Sequence, residues 1–215
     1  MKLKVVLLAL GALVISFNAF SLEEKNTDIV GTHTVVFTPL QSGGKLTACT
    51  LNFTALFEDR THISSKQYIL NGHIGIYNLD NNNLAFIQKT GFADANIAPL
   101  KIERPFSAYV ESKTKSTASL DKKTFTGDNN FLFSIASLDK TTLALIDEIY
   151  ESKTLIVGFN VIDGGIDFLV PVDLRVGDAI EQPDGSYKRT ISNKATGDFT
   201  ACTARLMSEA IGAKK

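Results

Sequence analysis

Two cysteines and three histidines have the widest chemical reach in this chain. Both cysteines stand in the same string, Thr47-Ala48-Cys49-Thr50 and Thr200-Ala201-Cys202-Thr203. Three readings compete: halves of an internal repeat, a reactive or metal-binding pair, or the two ends of one disulfide. A thioredoxin-like redox site needs a C-x-x-C spacing, and a structural zinc site needs four ligands in close pairs; neither spacing occurs. A reactive thiolate also wants an electropositive, partly exposed setting, whereas each cysteine here lies between Ala and Thr on a stretch whose periodicity turns it inward. The histidines are His33, His62 and His73. A catalytic zinc takes about three protein ligands, and a triad sets one histidine between a nucleophile and an orienting carboxylate. His33 and His73 fall in strand-like stretches and His62 in the turn-like segment 57–62, and neither H-E-x-x-H nor G-x-S-x-G is present. All three read as surface or satisfied strand histidines.

Carboxylates are plentiful, at Glu58-Asp59, Asp147-Glu148 and Asp163 with Asp167, but a working acid–base pair is recognised only by its geometry. Each of these reads as a solvated turn or helix face. The strings Asp80-Asn81-Asn82-Asn83 and Asp128-Asn129-Asn130 carry oxygens that suit calcium, yet lack the glycine and distal glutamate of an enclosing loop, so they read as turns. There is no P-loop, no G-x-G-x-x-G opens a helix, and Trp is absent, which removes the commonest sugar-stacking platform. No catalytic, metal or cofactor residue is assigned on these grounds.

The N-terminus sets the compartment. Met1-Lys2-Leu3-Lys4 is a basic start, and an apolar run of about a dozen residues follows from Val5 to Phe17. That is too short for a membrane span, which takes roughly 20 residues, and suits a secretory leader. Ala19 and Ser21 occupy the −3 and −1 places of a cut that leaves residues 22–215 as the mature chain. The loss of Lys2 and Lys4 leaves 20 basic against 23 acidic side chains. Mild acidity without a cationic cluster argues against nucleic acid as a partner, because the densest basic stretch, 113–123, is interleaved with Ser, Thr and Asp121. A disulfide between Cys49 and Cys202 is the expected state in an oxidising compartment.

Elements that position these residues follow from hydrophobic period. The odd positions Cys49, Leu51, Phe53, Ala55 and Phe57 alternate with Thr50, Asn52 and Thr54, the mark of a half-buried strand, and the segment 34–37 is its hairpin partner across Gly43-Gly44. Further strands are predicted at 67–77, 84–90, 101–110, 131–135, 154–161, 166–176 and 187–191. Pro105 and Pro171 inside two of them imply edges or bulges. Helical spacing is confined to 140–151, with Asp139 as N-cap and Leu143, Ile146, Ile149 and Tyr150 on one face, and to about 193–211, with Ser192 as cap and Ala195, Phe199, Cys202, Leu206 and Ala210 on one stripe. One TACT therefore lies on a strand and the other on a helix, so they are not a repeat. The prediction is that strand and helix touch through their sulfurs.

The expected architecture is mainly β: an antiparallel β-sandwich or strongly curved sheet, with a C-terminal helix packed on one face and one short internal helix, all in a single domain over 22–215. The expected role is that of a secreted or periplasmic, non-enzymatic protein that binds a protein or small ligand on its β-sheet scaffold, with an inhibitor or immunity-type protein as the narrower form. The contact surface is expected around the Gly-Gly turn, at Ile162, Gly164, Gly165, Ile166 and Phe168, with the polar segment 111–130 as a second place. The alternative is an envelope hydrolase whose site forms only in the fold. The two separate on whether the fold gathers a histidine or two carboxylates in a concavity or exposes an apolar patch.

Overall fold

The computed structural model describes residues 22–26, 29–59, 66–79, 83–112, 124–128 and 130–212. The expected leader at 1–21, His62 and the turn at 80–82 lie outside the described residues. The elements in chain order are β1 (Leu22–Asn26), β2 (Gly31–Ser42), β3 (Lys45–Asp59), β4 (Lys66–Leu79), β5 (Asn83–Asp94), β6 (Ser107–Ser112), β7 (Thr124–Asp128), β8 (Phe131–Ser137), α1 (Lys140–Ser152), β9 (Thr154–Asn160), β10 (Phe168–Asp173), β11 (Val176–Glu181), β12 (Tyr187–Ile191) and α2 (Lys194–Gly212). They form a six-stranded antiparallel sheet in the order β2-β3-β4-β5-β8-β7 and two three-stranded antiparallel sheets, β10-β9-β6 and β1-β12-β11. None closes into a barrel.

Alternation decides the layers. Cys49, Leu51, Phe53, Ala55 and Phe57 of β3 are buried together with Leu70, Ile74 and Ile76 of β4 and Phe86 and Phe92 of β5. The ladder Cys49–Ile76–Phe86 and its neighbours Leu51–Ile74 and Ala55–Leu70 keep these side chains on one face, since a pleated strand sends alternate residues to opposite sides. Two covers share that face. Helix α2 lies over the Cys49 end of β3, with Phe199, Leu206 and Ala210 buried. The sheet β10-β9-β6 lies over the Phe57 end and turns Val170, Val172, Leu155, Val157, Phe159, Ala108 and Val110 inward. Helix α1 packs against β6 and β9 and meets α2 through Tyr150 and Phe199. Among the described residues no helix is long and apolar enough to cross a membrane.

The anticipated hairpin is present but longer: β2 and β3 pair from Gly31–Leu56 to Ser42–Lys45, and Gly43 and Gly44 take positive φ (57° and 78°) at the turn, a conformation that costs glycine little. Four predicted details need correction. The run 166–176 is two strands in two sheets, because the Asp173 carboxylate accepts from the Arg175 N–H and guanidinium and closes a turn between them. The strand expected at 101–110 begins only at Ser107; before it, one antiparallel bridge joins Phe92 to Glu103, and Pro105 sits just ahead of the strand. Strands β1, β7 and β11 were not anticipated. Helix α1 has the predicted cap, with Asp139 accepting the Thr142 N–H at 2.8 Å, but its buried face is Thr142, Leu145, Ile146 and Ile149, and Leu143 points to solvent. Pro171 does occupy an edge strand, as its missing donor requires.

The third sheet is tied to β2 by a buried cation. Arg189 of β12 donates from Nε to Thr32 O and from Nη2 to Val30 O. Backbone carbonyls accept these guanidinium N–H groups.

Cys49 and Cys202 are joined, with Cα atoms 5.9 Å apart and a sequence separation of 153. A bond that closes so long a loop removes about 5 kcal/mol of chain entropy from the unfolded state in the simplest model, with measured effects of about 2–5 kcal/mol. The double variant Cys49→Ala/Cys202→Ala should therefore lower the free energy of unfolding by about 2–5 kcal/mol in urea titrations, with far-UV helical signal retained at zero denaturant. A loss below about 1 kcal/mol would show that packing alone fixes α2 on the sheet.

Candidate functional site

Both cysteine sulfurs are consumed by the disulfide, so neither is a nucleophile or metal ligand. Among the described residues no group of three or more His, Cys, Asp or Glu side chains could hold a metal ion. His33 is the extra residue of a bulge in β2; its Nε2 donates to Ile29 O at 2.8 Å and its ring meets Tyr187 edge-on. Of the acidic candidates, Asp147 and Asp163 are exposed, and the Asp167 carboxylate accepts from the Tyr109 hydroxyl at 2.9 Å and from Asn160 Nδ2 at 2.8 Å. Burial, reinforced by that carboxylate, pushes the Tyr109 hydroxyl up to about 12.

His73 is different. Register places it on the face of the six-stranded sheet opposite the core, beside Asn52 on β3 and Lys89 on β5. Its Nδ1 lies 3.2 Å from Asn52 Oδ1, and its Nε2 lies 2.5 Å from the Tyr77 hydroxyl, four residues along the same strand. Asn52 turns its amide nitrogen toward the Thr38 hydroxyl, which leaves only its carbonyl oxygen for the ring. Nδ1 must then carry the proton, and Nε2 accepts from Tyr77. The relay runs Tyr77 to His73 to Asn52 to Thr38 across three strands, and the Thr50 hydroxyl donates to Thr38 O behind it.

The geometry has the form of a hydroxyl, a base and an orienting amide, but its proton affinities are set against transfer. Burial, and after it the charge of Lys89, holds the imidazole at about 4, while burial pushes the phenol up to about 12. General acid–base work near neutrality wants groups close to 7; here the proton stays on the phenol and the imidazole stays neutral. The relay fixes side chains across strands. A shallow depression of about 250 Å³ opens beside it, lined by Thr34, Val36, Asn52, Thr54, Asn71, His73, Lys89 and Phe131, together with the paired strand residues Phe53 and Gly72.

The predicted contact residues lie elsewhere, at the turn between β9 and β10. Ile162 is 65 % and Ile166 78 % exposed. Gly164 has φ of 69°, and the Gly165 N–H donates to Ile162 O, a tight turn that glycine permits at low cost. Phe168 is not part of that surface: its ring packs with Phe57, Tyr68 and Phe159 at 5.5–6.1 Å. Residues that the sequence did not mark join the exposed ones. Phe106, 56 % exposed, is held beside the turn by its N–H donating to Asn160 O at 2.8 Å, and Val161 in the turn and Leu169 on β10 are exposed. Pairing of Ser107 with Asn160 makes this juxtaposition, and a single sequence holds no signal for it. Of the second predicted place, 111–130, residues 113–123 and 129 lie outside the described residues.

The chain matches no family model, no curated protein and no solved structure, so its function has to be argued from this geometry.

The relay carries a pH dependence. The folded imidazole is depressed below its ordinary 6.5, so the unfolded chain takes the proton first; the stabilisation is complete above pH 6.5 and is lost as the pH falls from 6.5 towards 4. At 1.36 kcal/mol per tenfold in proton affinity, discounted for solvent screening of a half-buried ring, the loss is about 2 kcal/mol. Urea midpoints at pH 7 and pH 4.5 should show that much less pH sensitivity in His73→Gln than in the parent; equal slopes would refute the assignment.

Proposed function

We propose that this chain is an exported protein of the periplasm or extracellular space that works without catalysis, by docking a protein partner through the apolar end formed by the β9–β10 turn and Phe106. One observation carries the reading: large aliphatic side chains are displayed on a turn that is braced rather than loose. Asp167 is gripped by Tyr109 and Asn160, Phe168 roots the turn in the aromatic core, and Ile162 and Ile166 stand out from it into water. Exposed apolar area gains nothing for the monomer, and contiguous patches of it mark contact sites. Holding such residues rigid reduces the ordering cost of association.

Export is supported by the N-terminal pattern of a basic start, a short apolar run and small residues before the cut, together with a disulfide, which persists in oxidising compartments and is rare in reducing ones. An inhibitor or immunity-type role fits the same display, because such proteins act through a preformed surface. The hydrolase alternative draws on the His73 relay, whose proton affinities lie far from those that acid–base catalysis uses.

A photo-crosslinking residue at position 166 should give a discrete protein adduct in intact envelopes, while the same residue at position 143 on α1 gives none. Adding Ile162→Asp should reduce that adduct at least tenfold, as truncation of a central contact does, with unchanged circular dichroism. Indistinguishable patterns from positions 166 and 143, or an adduct insensitive to Ile162→Asp, would remove the apolar end as the docking surface.

A further inference from the structure

The seam between the two covers opens at the free edge of β2. Among the described residues β2 pairs with β3 alone, and its backbone alternates across that pairing. The Thr50 hydroxyl donates to Thr38 O and the Thr47 hydroxyl to Leu40 O, so these two carbonyls face β3. In an antiparallel pair the intervening residues turn their N–H and C=O groups to the other side, which directs the backbone of Val35, Phe37 and Pro39 out of the sheet. Pro39 agrees with this alternation, because proline has no N–H to give and belongs where the ladder needs none.

The unpaired stretch is bounded at both ends. Before it, the Thr34 hydroxyl donates to Gly177 O of β11, and Thr32 O and Val30 O accept from Arg189. After it, Pro39 blocks further pairing, as edge prolines do. The window from Thr34 to Pro39 is about 17 Å long. Within it Val35 and Phe37 each turn one donor and one acceptor outward, and neither residue has a hydrogen bond on that side among the described residues.

A cavity of about 360 Å³ lies beside this window, a volume within the range of ligand seats. Its apolar lining is Val35 and Phe37 of β2, Leu174 and Val176 at the β10–β11 turn, and Ala195 of α2. The walls are fastened together, because the Ser192 N–H ahead of α2 donates to Arg175 O at 2.7 Å. Charges on the rim have neighbours of opposite sign, Arg175 with Asp173 and Lys194 with Asp198, both at 2.6 Å. The seat therefore suits an uncharged, aliphatic group. Unpaired strand backbone is complementary to a second extended backbone, and the cavity beside it to an apolar side chain. Those are the two terms of strand addition, in which main-chain bonds give affinity and a pocket for alternate side chains gives specificity.

We propose that the β2 edge at Val35 and Phe37 binds an extended peptide segment of three or four residues, which adds a strand to the sheet and seats one aliphatic side chain against Leu174, Val176 and Ala195. The site shares no residue with the apolar end, so a chain docked there leaves this edge open.

The experiment uses the mature protein labelled with 15N and the peptide acetyl-Ser-Thr-Val-Thr-Ser as its C-terminal amide. Titration should give saturable shifts of the Val35 and Phe37 amides and slow their hydrogen exchange at least tenfold, with Ile166 unaffected. Two analogues carry backbone N-methyl groups, one on the odd residues and one on the even. A strand presents only alternate N–H groups to its neighbour, so one analogue should bind at least tenfold more weakly than the peptide and the other within threefold of it. Exchanging the peptide's valine for glycine should weaken binding about tenfold or more, from the burial it forfeits, and Ala195→Leu, which fills the seat, should do the same. Analogues that bind alike, an absence of saturable shifts at Val35 and Phe37, or an affinity indifferent to the valine would overturn the proposal. Concentration-dependent shifts of the same two amides without peptide would overturn it too, by assigning the edge to a second copy of the chain.

Discussion

Leu51, Phe53, Leu70, Ile74, Ile76, Phe86 and Phe92 all leave the six-stranded sheet on one side, and nothing in the sheet itself can take them out of water. Each such side chain gains about 1.5–3 kcal/mol when fully buried, so the covering elements are not additions to a finished sheet; they are what makes the sheet stable. The chain supplies two unlike covers. Cys49 and Phe57 are eight residues apart on β3, about 26 Å at a strand's rise, and the two covers divide that length. Helix α2 takes the Cys49 end and is fastened there by the disulfide. The β10-β9-β6 sheet takes the Phe57 end, where rings of Phe57, Tyr68, Phe92, Phe159 and Phe168 interlock at 5.4–6.1 Å.

Once one face is committed, the composition of the other follows from the pleat. The residues between the buried ones, Asn52, Thr54, Asn71, His73 and Lys89, are forced onto the open side, and a one-residue slip of register would exchange the two sets. The open face is therefore polar without being loosely solvated. Hydrogen bonds from Thr38 to Tyr77 cross the strands side by side, and they hold the ring of His73 in one tautomer. Glycines serve the same close approach from within: a Cβ on Gly72 would collide with the Phe53 ring, and one on Gly158 with the ring of Tyr109. In each case the aromatic ring lies flat across the strand that the glycine leaves bare.

What the sequence could and could not reveal divides along the same lines. β3 was legible because its odd positions from Cys49 to Phe57 are apolar and buried while Thr50, Asn52 and Thr54 between them are polar, so period two survives in the residue types. The stripe of α2 was legible for the parallel reason at period 3.6. The run 166–176 misled because Val170, Val172, Leu174 and Val176 are all buried, so apolar alternation continues straight through a turn that only the Asp173–Arg175 contact closes. The face of α1 was displaced because Thr142, next to the cap, is buried while Leu143 is not, and residue polarity pointed the other way. His73 had a legible strand and an illegible neighbourhood: Tyr77 is close in sequence, but Asn52 and Lys89 reach it only through register across β3 and β5.

The apolar end and the opposite face of the six-stranded sheet differ in what holds them, and that difference follows from the covers. The apolar end is an extension of the core. Phe168 continues the aromatic cluster outward to Ile166, so the turn moves only if Phe57 and Phe159 move with it. Interiors this densely packed deform little, which makes the end a stiff, preformed surface. The open face is anchored from the opposite direction, by hydrogen bonds that lie in the surface itself. Its donors keep fixed places because the sheet beneath them has both its ladder and its far side satisfied. Stiffness at the apolar end depends on aromatic packing, and stiffness of the opposite face depends on strand register, so damage to one leaves the other in place.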